Sequence, residues 1–389
     1  MSAAPRTDNR YVLLENGEAL FPAVEAAIAE ARHSVLAETF ILFDDSVGRR
    51  IQQALIAAAG RGVSVDLTLD GYGSDALGEA FLGALARAGV RVHLFDPRPR
   101  LMGMRTHVFR RMHRKLLAVD DRIAFVGGIN FSEDHLSDYG AQAKQDYALR
   151  IEGPLCLQIA AFMRNALRMP GAPPLPGPAR RDGEGAASLV VRDNQRHRDD
   201  IERGYRASLR AATRDVLIAN AYFFPGYRLL RALAGAARRG LRVRLILQGE
   251  PDMRLARLAS TMIYDYLLDA GVEIHEYARR PLHAKVACFD DAWSTVGSSN
   301  LDPFSLALNL EANVWVRDPA LNRQLRQSLE RLLAEDCRRV PPRPGKAWSL
   351  RRLWAGVVVY HVLRRVPSWA GSLPAHKPRL ARVPAPAEP

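Results

Sequence analysis

Cysteine is scarce in this chain. Among 389 residues there are three, Cys156, Cys288 and Cys337, and no two lie at a paired spacing. That excludes a disulfide-stapled secreted scaffold and any Cys-x-x-Cys centre, and it implies reduced, mostly buried thiols in a cytosol-facing protein. Long apolar runs are missing too. No window reaches the roughly 18 uninterrupted apolar residues of a spanning helix, so any membrane contact is expected to be peripheral. The opening MSAAPRTDNRYVLL has no apolar stretch behind a basic one, so no secretory or targeting segment is expected. Neither a His-Glu-x-x-His helix nor an acidic calcium-type loop occurs, and no metal or cofactor is expected. Acids are in deficit: 42 Asp and Glu stand against 55 Lys and Arg, for a net charge of +13. Such an excess favours an anionic partner, nucleic acid or anionic lipid, without choosing between them.

What the chain does have is one motif twice. Residues 113–130 read HRKLLAVDDRIAFVGGIN, and residues 283–300 read HAKVACFDDAWSTVGSSN. His113, Lys115, Asp120 and Asn130 recur at the same spacing as His283, Lys285, Asp290 and Asn300. On a strand, residues i and i+2 share a face, so each copy can set an imidazole and an ammonium on one side of a sheet edge. Two such halves packed about a pseudo-two-fold axis bring two His and two Lys into one pocket. Lysines and asparagines offer donors to phosphate oxygens, and Asn130 and Asn300 are candidate substrate-binding residues. Two histidines suit a two-step displacement, one as nucleophile and one as general acid and then base. Asp120 and Asp290 belong to the motif and are candidate catalytic residues, with a turn or packing role as the alternative.

The surroundings of the motifs alternate between helix and strand periods. Strand patterns at 34–43, 63–71 and 91–96 are interleaved with helix patterns at 21–31, 47–62 and 82–90, and 215–278 repeats the order. The expected fold is α/β: two pseudo-symmetric halves, each a mainly parallel mixed sheet flanked by helices, with the active site between them. The expected division is 1–169, a Pro/Gly-rich linker at 170–190, 191–340, and a basic tail at 341–389. The first half carries a basic insertion within 95–112 that includes Leu101, Met102 and Met104. It is either a solvated loop or a lip that touches lipid. The tail has nine basic residues and one acid, and its Trp-bearing stretch 347–369 holds an apolar run at 353–363. This suits a helix lying among lipid headgroups, with packing on the domain as the alternative.

The paired H-x-K-x4-D pattern resembles the phospholipase D superfamily. The run GSSNLDPFSLALNLEANV (297–314), with LENGEALFPA (14–23), ETFI (38–41), LDGYGS (69–74), KQDYALRIEGP (144–154) and VRDNQRHRDDIE (191–202), is similar to bacterial cardiolipin synthases, the B type most of all. That resemblance implies a phosphatidyltransferase acting through a phosphohistidine, with His113 as nucleophile and His283 as acid. It implies that Asp146 and Glu311 are the carboxylates that orient the histidines. The implied substrates are phosphatidylglycerol and other anionic phospholipids at the cytoplasmic face of the bacterial inner membrane. No nucleic acid and no obligate protein partner are expected. A phospholipid hydrolase or nuclease using the same site is the alternative.

Overall fold

The structure is a computed structural model that describes residues 8–97, 111–168, 186–249, 263–342 and 380–384. The halves are built on one plan. The first has strands β1 (Arg10–Glu15), β2 (Ser34–Thr39), β3 (Ser64–Asp70), β4 (Arg91–Phe95), β5 (Leu116–Val119), β6 (Ile123–Gly127) and β7 (Tyr147–Glu152). They lie side by side in the order β1-β7-β6-β5-β2-β3-β4. The second has β8 (Ala187–Arg192), β9 (Asp215–Asn220), β10 (Arg242–Gln248), β11 (Glu273–Tyr277), β12 (Lys285–Phe289), β13 (Trp293–Gly297) and β14 (Glu311–Arg317), in the matching order β8-β14-β13-β12-β9-β10-β11. Short strands β15 (Cys337–Arg339) and β16 (Leu380–Arg382) close the outer edges beside β11 and β4.

The two repeated α/β halves are as expected from the sequence. The strand directions need a correction. Only β2-β3-β4 and β9-β10-β11 are parallel; every other pairing, five of seven in each sheet, is antiparallel. The cause is the motif itself. Between β5 and β6, and again between β12 and β13, the chain has three residues, which close a hairpin but cannot make the long crossover a parallel pair needs.

Helices follow the sequence patterns. In α2 (Ser46–Gly60), Ile51, Leu55 and Ala58 form the buried stripe, and the Asp45 carboxylate caps the start by accepting from the Gly48 N–H at 2.8 Å. Gly62 and, after α6 (Tyr227–Arg238), Gly240 take φ of +84° and +92°, where a side chain is strained. Helix α1 (Asn16–Ala29) starts earlier than the pattern at 21–31 suggests and runs through Pro22. Tertiary bonds hold its first turn: Asn16 bonds to Gln145 and the Asp146 backbone, and Glu18 accepts from the Ser137 N–H.

The layers can be read from the cores. Helices α1, α2 and α3 (Glu79–Arg87) cover the outer face of the first sheet, and α5 (Asp200–Ala211), α6 and α7 (263–269) that of the second. Between the sheets lie α4 (Pro154–Ala166) and, after the short α8 (Pro303–Ala307), α9 (Pro319–Glu335). Leu155, Ile159 and Met163 of α4 and Leu321, Leu325 and Leu329 of α9 share one core with Leu149 of β7, Val296 of β13 and Val314 of β14. Emptying one such site, as in Leu325→Ala, costs about 2–5 kcal/mol. A packed apolar seam of this kind fixes the halves against each other, and so fixes the cleft between them.

Two further expectations meet the structure at their edges. Residues 187–190, expected in the linker, are already strand β8, where their alternation pairs with β14. The tail is not wholly a separate segment, because Leu380–Arg382 pairs antiparallel with β4 of the first half. The core of the linker, the insertion with Leu101, Met102 and Met104, and the Trp-bearing stretch 347–369 lie outside the described residues.

Candidate active site

The motif histidines are not held by their own sheets alone. The His113 N–H donates to the Leu310 carbonyl at 2.9 Å, and the Leu310 N–H to the Arg111 carbonyl at 2.7 Å. In the other direction, the His283 N–H donates to the Gln145 carbonyl at 2.8 Å and the Gln145 N–H to the Pro281 carbonyl at 2.9 Å. Each histidine segment is therefore bridged to the strand that enters the opposite half, just ahead of a carboxylate. The His113 Nδ1 lies 3.1 Å from Glu311 Oε2, and the His283 Nδ1 lies 2.6 Å from Asp146 Oδ2. With Nδ1 engaged, each ring keeps Nε2 for chemistry. The four residues the sequence singled out, separated by up to 198 positions, form two crossed imidazole–carboxylate pairs.

The lysines complete the centre. Lys115 Nζ donates to the His113 carbonyl at 2.7 Å, and Lys285 Nζ makes the equivalent bond to His283. Burial pushes Lys115 down to about 7 and Lys285 down to about 8. The charge of Lys285 adds to the lowering of Lys115, and that of Lys144 to the lowering of Lys285. An anionic phosphoryl group would restore what burial removes.

The two carboxylates differ. Burial raises Asp146 to about 7, against the pull of Lys285. Burial also acts to raise Glu311, but His113, Lys115 and the Ser298 hydroxyl outweigh it and hold Glu311 below its usual value. Burial depresses both histidines; His283, with Lys285 beside it, falls well below the ordinary range. The His113 pair thus keeps an ionised carboxylate, while the His283 pair shares a proton near neutrality. A residue difference between the motif copies matches this. A Cβ at Gly128 would stand 2.5 Å from both Asp146 oxygens. At the matching position the chain has Ser298, whose hydroxyl donates to Glu311 at 2.5 Å.

Asn130 and Asn300 are buried, and the amide oxygen of each has no partner among the described residues. Asp120 and Asp290 do not belong to the site, which corrects the expectation that they are catalytic. They lie at the far end of the motif strands from the lysines, five residues or about 16 Å along. Both take left-handed backbone, with φ of 52° and 46°. The Asp120 carboxylate accepts from the N–H groups of Arg32, His33 and Ser34, all at 2.8 Å, and Asp290 does the same for Thr213, Arg214 and Asp215. Each ties the hairpin turn to the start of the neighbouring strand.

Residues 24–165 and 205–333 match the family described as "Cardiolipin synthase, PLD-like domain". The chain belongs to that family. It is 52% identical to cardiolipin synthase B of Salmonella typhimurium, over all of this chain and 96% of that one. It is 51% identical to cardiolipin synthase B of Escherichia coli K12, again over all of this chain and 96% of the relative. Among solved structures, phosphatidylserine synthase from Haemophilus influenzae shares the fold with a TM-score of 0.66 at 14% identity, covering 95% of each chain.

Two residues of this cardiolipin synthase family site escaped the motif reading. Phe40, inside the ETFI run, tilts against His113 with ring centroids 4.8 Å apart, and Lys115 Nζ lies 5.2 Å from the same ring. The signals in the sequence were its aromatic character beside a strand end and its place in a run that carries the family resemblance. His135 is the second. Its ring stands edge-on to His283 with centroids 5.4 Å apart. His135, Asp146 and His283 each offer one ligand atom within 4.8 Å of the others, a geometry that could hold a metal ion. Lys285, Lys144 and Lys115 place positive charge on His283 and oppose a dication there.

Proposed function

We propose that this protein is a cardiolipin synthase that joins two phosphatidylglycerol molecules and releases glycerol. The reading rests on one observation above the rest: two imidazole–carboxylate pairs, each formed across the halves, converge with two buried lysines. The full-length likeness to cardiolipin synthase B proteins supports that substrate choice over water as acceptor. In the first step Nε2 of His113 attacks phosphorus, the bond to the glycerol oxygen breaks, and the departing oxygen takes a proton from the His283–Asp146 pair. In the second step a hydroxyl of another phosphatidylglycerol gives its proton back to that pair and attacks phosphorus, and the phosphorus–nitrogen bond to His113 breaks. Glu311, held ionised, suits the nucleophile; Asp146, raised to about 7, suits the proton carrier. Lys115, Lys285, Asn130 and Asn300 surround the charge that builds on the non-bridging oxygens. The enzyme would work from the cytoplasmic face of the inner membrane by peripheral contact with anionic lipid.

The test is purified protein in phosphatidylglycerol vesicles, with products read by mass spectrometry. Cardiolipin and free glycerol are expected; phosphatidic acid without cardiolipin would assign the chain to the hydrolases instead. For the division of labour, His113→Ala should abolish phosphatidyl labelling trapped by an alkaline denaturing quench, in which the phosphorus–nitrogen bond survives. His283→Ala should still label slowly from a donor whose leaving group needs no proton. Label on residue 283 of the unaltered protein would reverse the two roles.

A further inference from the structure

The halves are not equal around the site. From Asn130 to Asp146 the first half has 16 positions, while from Asn300 to Glu311 the second has 11. The longer connection winds into two short 3-10 turns, Glu133–His135 and Ser137–Gln142. It delivers His135 to the centre, a third imidazole with no counterpart in either motif. At the equivalent offset the second half has Ser305, on α8, bonded back to Asp302.

His135 is fully buried and built in from several sides. Glu133 at the head of its turn receives the Ser46 hydroxyl at 2.8 Å and donates its own N–H to Asp45 at 2.9 Å. The Ser132 hydroxyl donates to Asp134 at 2.6 Å, and Lys144 pairs with the same carboxylate. A Cβ at Gly17 of α1 would stand 2.8 Å from the His135 carbonyl, so helix and turn touch at backbone distance. The His135 ring makes two contacts with working groups. Its Nε2 accepts the Asn130 N–H at 3.3 Å, and its edge meets the His283 ring at an interplanar angle of 70°. Its Nδ1 is buried without a partner among the described residues. Leaving a buried ring nitrogen unpaired costs stability, which a residue that only filled space would avoid.

We propose that His135 is a positioning residue: it fixes the plane of the His283 ring and, through the Asn130 backbone, the loop that carries Asn130 to the phosphoryl group. This rests on the reading of His283 and Asn130 as working groups. It goes beyond that reading by making the centre asymmetric, with a second histidine beside the acid and an aromatic wall, Phe40, on the nucleophile. The neutral ring is essential to the idea, because an imidazolium at this spot could not accept from Asn130. Burial depresses His135 to about 3, which agrees with a neutral ring.

The test separates packing from positioning with two substitutions. His135→Phe keeps a ring against His283 but removes the acceptor, leaving the Asn130 N–H unpaired. His135→Gln lacks the ring but can return an acceptor through Oε1. With phosphatidylglycerol in mixed micelles, His135→Phe should lower kcat at least tenfold with KM changed less than twofold. His135→Gln should recover part of that loss. Wild-type kcat in His135→Phe, or no advantage of Gln over Phe, would overturn the proposal. If His135→Phe fails to fold, the comparison of His135→Gln with His135→Leu carries the same test. His113→Ala and His283→Ala are run beside them. If those two remain active, it is the reading of the centre that fails; if they are dead while His135→Phe is normal, only the role of His135 fails.

Discussion

A buried phosphoryl-binding lysine has two states, and only the charged one can clamp an oxyanion. Burial brings Lys115 to about 7 and Lys285 to about 8. A lysine is charged below its pKa and neutral above it. The kcat/KM profile, which reports the free enzyme, should therefore fall on the alkaline side between about pH 7 and 8. Bound phosphodiester stabilises the ammonium, so the alkaline limb of kcat should sit at higher pH than that of kcat/KM. Coincident limbs would mean that the lysines do not meet the phosphate. Gly128 makes a second prediction at this scale. The Cβ of Gly128→Ala would collide with both Asp146 oxygens and force the carboxylate away from His283. Loss of the Asp146–His283 bond should cut kcat by more than tenfold with a small change in thermal midpoint, measured by calorimetry. The residues that make these predictions were legible in unequal degree. His113, Lys115, His283 and Lys285 repeat at one spacing, so the sequence exposes them. Asp146 and Glu311 sit 16 and 11 positions past the asparagines, a mismatch that hides them from any spacing argument; only resemblance points to them. His135 occurs once, and nothing periodic marks it.

At the scale of elements, the motif aspartates show how a repeated residue can mislead. Asp120 and Asp290 recur as faithfully as the histidines, yet they recur because each half needs the same turn. Three backbone donors and a left-handed φ fall on one short carboxylate in both halves. Asp120→Ala should destabilise the fold by roughly 1–3 kcal/mol through its orphaned donors, read by denaturant titration. The folded fraction should keep kcat within about twofold. A hundredfold loss of kcat at unchanged stability would return Asp120 to the site. These backbone bonds also hold Asp120 and Asp290 below the usual carboxylate range, despite partial burial. Their stabilising effect is therefore present above the unfolded pKa and fades as pH falls through the folded one. Strand direction was less legible. Helix and strand periods announce β2 to β4 and β9 to β11 as a parallel run, and the sheets do contain it. A period cannot say how a hairpin inserts beside it, and β5-β6 and β12-β13 tip each sheet toward antiparallel pairing.

The whole molecule holds its cleft by reciprocity: each half supplies one histidine and the carboxylate that orients the other's. Outside the site, Glu15 of the first half bonds Arg331 and Ser328 of α9 in the second, above the shared apolar seam. The chain after β15 leaves the edge of the second sheet, and at β16 it is back on the edge of the first. The segment between, 343–379, carries eight of the tail's nine basic residues and no acid. Deleting the tail from 341 would strip β4 of an edge partner as well as remove charge, so its effect on lipid binding could not be assigned. Replacing Arg351, Arg352, Arg364 and Arg365 with Gln removes four charges and leaves β16 in place. Near an anionic surface each charge contributes about 1 kcal/mol, so the four together should weaken binding to phosphatidylglycerol vesicles by up to roughly a thousandfold at low salt. The difference should shrink as salt shortens the reach of the charges, and kcat in detergent micelles should be unchanged. Equal vesicle binding by the altered and unaltered proteins at low salt would show that the segment packs on protein, and that another face of the molecule meets the membrane.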